Sequence, residues 1–144
     1  MPRRTSPLVL LSPLARFDDA ALLILRLLIG AFLMWGTWDN IASAARMQEF
    51  VAFLANRNCP LPTLAGPVSV YAQFIAGALI LLGFLTRWAG LLMAFNFVVA
   101  VALTWAGSDF RGLFPPLVMI AVSLVLATRG PGLYSLEAQL DRRR

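Results

Sequence analysis

The chain has 144 residues, 60% of them hydrophobic and 13% charged, and its net charge of +5 comes from twelve Arg with no Lys. A globular chain of this size carries about a quarter charged residues, so an ordinary soluble domain is excluded, and the length suits one compact membrane domain. One Cys and no His exclude an intrachain disulfide relay and, within this chain, a His-ligated haem, a zinc site or a His-based proton relay.

Arg3 and Arg4 precede a short apolar patch, Leu8 to Leu11, cut by Ser12 and Pro13. The patch is too short for a signal-peptide core and no small-residue cleavage site follows. Met1 to Asp19 therefore reads as a cytoplasmic lead-in. Asp18 and Asp19 stand where the positive end of a helix dipole favours acids.

The first span is expected from about 20 to 41. Trp35 and Trp38 lie toward its far end, as an interfacial belt requires. Arg26 interrupts it two turns in, where a charge costs about 2.5–3.5 kcal/mol on insertion scales. Two orientations are open: snorkelling to the near head groups, or facing into the bundle with a partner. From about 43 to 57, Met47, Phe50, Val51 and Leu54 recur at helical spacing while Arg46, Glu49, Asn56 and Arg57 fall elsewhere. That is an amphipathic helix, placed at the outer membrane–water boundary. Pro60 and Pro62 end it and put Cys59 on a turn. The thiol is read as idle, with a contact to another protein as the alternative.

The second span is expected from about 64 to 85. No charge occurs between Pro67 and Arg87, and the run is long enough to cross about 30 Å of hydrocarbon. One amide, Gln73, breaks it, with Ala76 and Gly77 sharing its face. The third span is expected from about 88 to 106, with Trp88 and Trp105 at its ends and Asn96 near its middle. So short a connection makes spans two and three antiparallel neighbours and brings Gln73 and Asn96 to similar depth. Either they share one interhelical hydrogen bond, worth about 0.6 kcal/mol on average, or they line a site for a ligand's head group. The structural role is preferred. The fourth span is expected from about 113 to 128, with Pro115 and Pro116 in its first turn. Gly130, Pro131 and Gly132 break the helix, Leu133 to Leu140 resumes as an amphipathic piece, and Arg142 to Arg144 end a tail running from 129 to 144.

The fold class expected is thus all-α: an integral membrane four-helix bundle with a short extracytoplasmic amphipathic helix between spans one and two. Eight Arg fall on the side of the termini and three on the other, which places both termini in the cytoplasm. The Arg residues are scattered or sit at span ends, so nucleic acid is not a partner. Membrane lipid is one, and a partner protein or a second copy is expected.

Three stretches, LRLLIG in span one, GALILLGFLTRWAGLL across spans two and three, and GPGLYSLEAQL near the end, resemble the DoxX family of small four-helix bacterial membrane proteins. The resemblance covers roughly residues 22 to 140. Arg26 matches the family's span-one Arg and Glu137 its terminal acidic residue. Gln73 stands where the family usually has Glu, and Asp39-Asn40 where it often has Lys. The resemblance implies a bacterial inner-membrane location and kinship with the small subunit of a thiosulfate:quinone oxidoreductase. No cofactor is expected within the chain, and a quinone or lipid is the candidate ligand.

Three functions are open: a non-catalytic membrane subunit or anchor of a redox- or stress-linked complex, which is preferred; a quinone- or lipid-binding subunit of a membrane oxidoreductase; and a small transporter. The transporter is the weakest, since no span is broken by Gly or Pro at its midpoint. Candidate ligand residues are Gln73 and Asn96. No metal site is expected, and no catalytic residue can be named. For Arg26 the inward orientation is adopted, with Glu137 as its ion-pair partner and Ser123 as the polar alternative, because the terminal amphipathic piece can fold back onto the bundle mouth.

Overall fold

The computed structural model describes residues 12–143. The lead-in expected from residue 1 lies outside the described residues as far as residue 11. The helices are α1 (Asp18–Ala42), α2 (Ala44–Asn56), α3 (Pro62–Leu82), α4 (Thr86–Thr104), α5 (Phe110–Arg129) and α6 (Leu136–Asp141), with 3-10 turns at Ser12–Phe17 and Trp105–Gly107. No strand occurs among the described residues. Helices α1, α3, α4 and α5 are long and apolar enough to cross a membrane. Trp35, Trp38 and Trp105 are exposed toward the end of the bundle where α2 lies, and Trp88 toward the other.

Two tight helix pairs build the bundle: α1 against α3, and α4 against α5. In lipid, helices gain little from burying apolar surface and associate where small residues let backbones approach. At the first contact, a Cβ on Gly30 would stand 2.7 Å from Gly77 O, and one on Gly77 would stand 2.9 Å from Leu33 Cβ. At the second, a Cβ on Gly90 would stand 2.7 Å from Ser123 O. Leu33, Ala76, Ile80, Ala89, Met93, Met119 and Leu126 form the buried core between the pairs. The approach of α3 to α4 is looser than either tight pair.

A helix leaves its last carbonyls unpaired, which is costly near hydrocarbon. Arginines from elsewhere in the chain meet this need. Arg57 Nη1 donates to Thr104 O at the end of α4, 3.3 Å away. Arg87 Nη1 donates to Thr128 O near the end of α5 at 2.9 Å. Arg26 Nε donates to Ile80 O at 2.9 Å and its Nη2 to Leu81 O at 3.2 Å, at the end of α3. Each cation also stands at the negative end of a helix dipole.

Arg26 faces inward and is 1% exposed, so it does not snorkel. The expected ion pair with Glu137 is absent, and Arg26 makes no hydrogen bond to Ser123. Arg26 Nη1 instead donates to Pro131 O at 2.6 Å and Tyr134 O at 3.0 Å. With the two α3 carbonyls, these form a cage of four backbone acceptors around one guanidinium. The planar fork suits this geometry. Glu137 does reach this end of α3, but through its backbone N–H, which donates to Gly83 O at 3.2 Å. Ser123 Oγ is buried without a partner. Gly83 ends α3 at φ 69°, a left-handed conformation that glycine adopts without strain. A Cβ there would also collide with the Arg26 guanidinium and stand 2.7 Å from Ser135 Cβ.

Two helix boundaries differ from expectation. Helix α3 stops at Leu82 instead of 85, because Gly83 turns the chain. Helix α5 starts at Phe110, since the Asp109 side chain caps it by accepting from Gly112 N at 2.9 Å. Pro115 and Pro116 therefore lie inside the helix rather than in its first turn.

Candidate functional site

The loose contact between α3 and α4 opens a cavity of about 320 Å³. Its walls are apolar, with Ala65, Val68 and Ala72 from α3 and Leu92, Phe95, Val99 and Leu103 from α4. Val68, Leu92, Phe95 and Val99 are also exposed on the outer surface, so the cavity opens sideways onto the face that hydrocarbon covers. Helix α2 closes one end with Phe50, Phe53 and Leu54. The amphipathic helix expected at the membrane–water boundary seats its apolar face on the bundle, where Leu54 is buried.

Both candidate ligand residues line this cavity, and Ser69 connects them. Gln73 Nε2 donates to Ser69 Oγ at 3.2 Å, and Ser69 Oγ–H donates to Asn96 Oδ1 at 2.8 Å. The chain crosses from α3 to α4, so the interhelical bond expected between the amides is indirect. Gln73 Oε1 and Asn96 Nδ2 carry no hydrogen bond among the described residues, and neither is buried away from solvent. An acceptor and a donor are left unused on an apolar wall. No charged residue lines the cavity, so the site suits an uncharged polar group attached to an apolar body.

Ser69 escaped the sequence reading although it lies one turn before Gln73 on the same face. Cys59, in the turn segment between α2 and α3, lines the α2 end of the cavity, with Sγ 3.6 Å from Pro60 O. Arg26 and Glu137 lie at the opposite end of α3 and take no part in this site. No group of metal-ligating residues occurs among the described residues.

One hydrogen bond between helices in lipid is worth about 0.6 kcal/mol and at most about 2. Gln73→Leu and Asn96→Leu should therefore each cost less than about 2 kcal/mol in thermal unfolding of the purified protein. A loss as large as that of a core deletion would make the amides structural.

Fold and site together define a four-span helical membrane protein with a lateral apolar cavity and a polar patch on its wall. The DoxX family model matches residues 21–106, and the chain belongs to the DoxX family. Inner membrane protein YqjF of Escherichia coli (strain K12) is 26% identical over 133 residues, covering 89% of this chain and 98% of the relative. The four apolar helices and this relative support a multi-pass inner-membrane protein. No solved structure matches the chain.

Proposed function

We propose that this protein is a non-catalytic membrane subunit that holds a bilayer-soluble molecule, a lipid or a quinone, with an uncharged oxygen of that molecule on Ser69, Gln73 and Asn96. The observation that carries this reading is the unused donor and acceptor on the wall of an uncharged cavity open to the bilayer. The lining offers no carboxylate and no imidazole, which supports a role in binding and orientation. A quinone fits this donor set, since its ring carbonyls accept from Asn96 Nδ2 and its tail stays among Phe95, Val99 and Leu103. On this reading any redox centre belongs to a partner protein, and this chain is its membrane-side binding subunit.

Titration of the delipidated protein with a neutral quinone and with a neutral lipid tests the reading. At least one should bind, and Gln73→Leu should weaken that binding by about tenfold, the scale of a hydrogen bond to a ligand buried in an apolar site. If neither binds but a protein co-purifies in fixed ratio, the chain is an anchor only.

The same proposal includes orientation. Arg16, Arg87, Arg129, Arg142 and Arg143 fall on the side of the termini, and Arg46, Arg57 and Arg111 on the side of α2. This asymmetry supports a cytoplasmic position for both termini. A reporter fused after Asn56 should read extracytoplasmic, and one at the C-terminus cytoplasmic. A cytoplasmic signal at Asn56 would reverse the orientation.

A further inference from the structure

The cavity has a second polar point, of a different kind from the first. Arg57 follows α2, and its guanidinium lies over the Phe53 ring, 5.2 Å from the centroid, while Nη1 donates to Thr104 O. Phe53 and Thr104 both line the cavity, so the cation is fixed at the cavity's α2 end by two of its walls. Ion pairs among the described residues join Arg46 to Glu49 and Arg129 to Asp18; Arg57 has no carboxylate. It is half-buried and uses one of its five donors. Arg57 does not itself line the cavity, but a partly desolvated cation with unused donors, held beside its α2 end by two lining residues, favours an anion.

Thr104 is eight residues beyond Asn96 on α4, about 12 Å along the helix. The wall between them carries Val99, Ala100 and Leu103. A cationic seat, an apolar channel and an uncharged donor–acceptor pair thus follow one another in line. At about 320 Å³ the cavity is at the small end of ligand pockets and suits one chain, not the two of a diacyl phospholipid.

We propose that the ligand is a single-chain carboxylic acid, with its carboxylate on Arg57, its chain along α4, and a hydroxyl or keto oxygen part-way down the chain on Ser69, Gln73 and Asn96. This rests on the reading of the cavity as a ligand site and narrows it to an oxygenated fatty acid. The carboxylate pairs with the guanidinium, for which a fork-shaped contact is the strong form. The mid-chain oxygen satisfies the amide atoms that the chain itself leaves unused.

The test is titration of the delipidated full-length protein with three probes: a hydroxystearate with its hydroxyl mid-chain, stearate, and the methyl ester of the hydroxystearate. The hydroxystearate should bind about tenfold or more tighter than either of the others, the scale of one charge-assisted or buried hydrogen bond. Arg57→Gln should abolish the preference for acid over ester. Gln73→Leu should abolish the preference for hydroxystearate over stearate. The proposal is overturned if wild-type protein binds acid and ester equally, or hydroxystearate and stearate equally. The cavity reading survives the first result if ester binding still depends on Gln73. It falls as well if no probe's binding, nor that of a quinone, responds to Gln73→Leu.

Discussion

Arg26→Leu should lower stability by about 3 kcal/mol or more, since each buried acceptor left without its donor costs about 1–3 kcal/mol. Four carbonyls, of Ile80, Leu81, Pro131 and Tyr134, then lose their shared donor. Two belong to the end of α3 and two to the segment that follows α5, so the guanidinium is what joins these segments. Arg26→Lys should recover less than half of the loss, because a compact ammonium cannot fork across acceptors from two segments. Glu137→Leu should cost less than about 0.5 kcal/mol, the usual range for a side chain outside such features. Its effect should simply add to that of Arg26→Leu, since the two side chains share no contact. Thermal unfolding in one detergent would measure all four variants. Coupling between Arg26 and Glu137 would restore the ion pair that the structure lacks.

Gly30→Ala should destabilise by about 1–3 kcal/mol, the cost of overpacking a close contact, and Gly30→Leu should prevent the bundle from forming. The added Cβ must enter space held by Gly77 O and Leu81, both within 2.9 Å. Neither neighbour is the free end of a flexible side chain, so the helices must separate. Gly36, on the same helix, has nothing within 4 Å of an added Cβ. Gly36→Ala should be neutral or stabilise by about 0.5–1 kcal/mol, because alanine loses less backbone entropy in a helix. Equal responses at Gly30 and Gly36 would show that α1 and α3 do not meet as closely as described.

The four spans were legible because length and lack of charge are local properties of a sequence, and bilayer thickness fixes what they mean. That Arg26 faces inward was a reasoned choice between two orientations; its acceptors were not readable. Every residue has a carbonyl, so sequence draws attention to acids such as Glu137 and is silent about backbone partners. Helix α2 shows a similar limit. Periodicity reveals an apolar face, but not whether lipid or α1 and α3 will cover it. Ser69 was hidden because serine in a membrane helix often bonds its own preceding turn, and nothing local shows that it instead bridges Gln73 and Asn96. The start of α5 was misread because two prolines outweighed the Asp109 cap one turn earlier.

The central claim is that the space between α3 and α4 exists to be occupied. Ala100 lines it, one turn along α4 from Asn96, and Ala100→Phe places a ring inside it while leaving Ser69, Gln73 and Asn96 themselves unchanged. The most direct measurement is solvent extraction of the purified protein followed by mass spectrometry, with the thermal midpoint recorded in parallel. Wild-type protein should yield a small molecule in fixed ratio to the chain. Ala100→Phe should yield none while melting at the same or a higher temperature, because filling a void adds packing. A variant that keeps the molecule, or a wild type that yields none, would contradict the account.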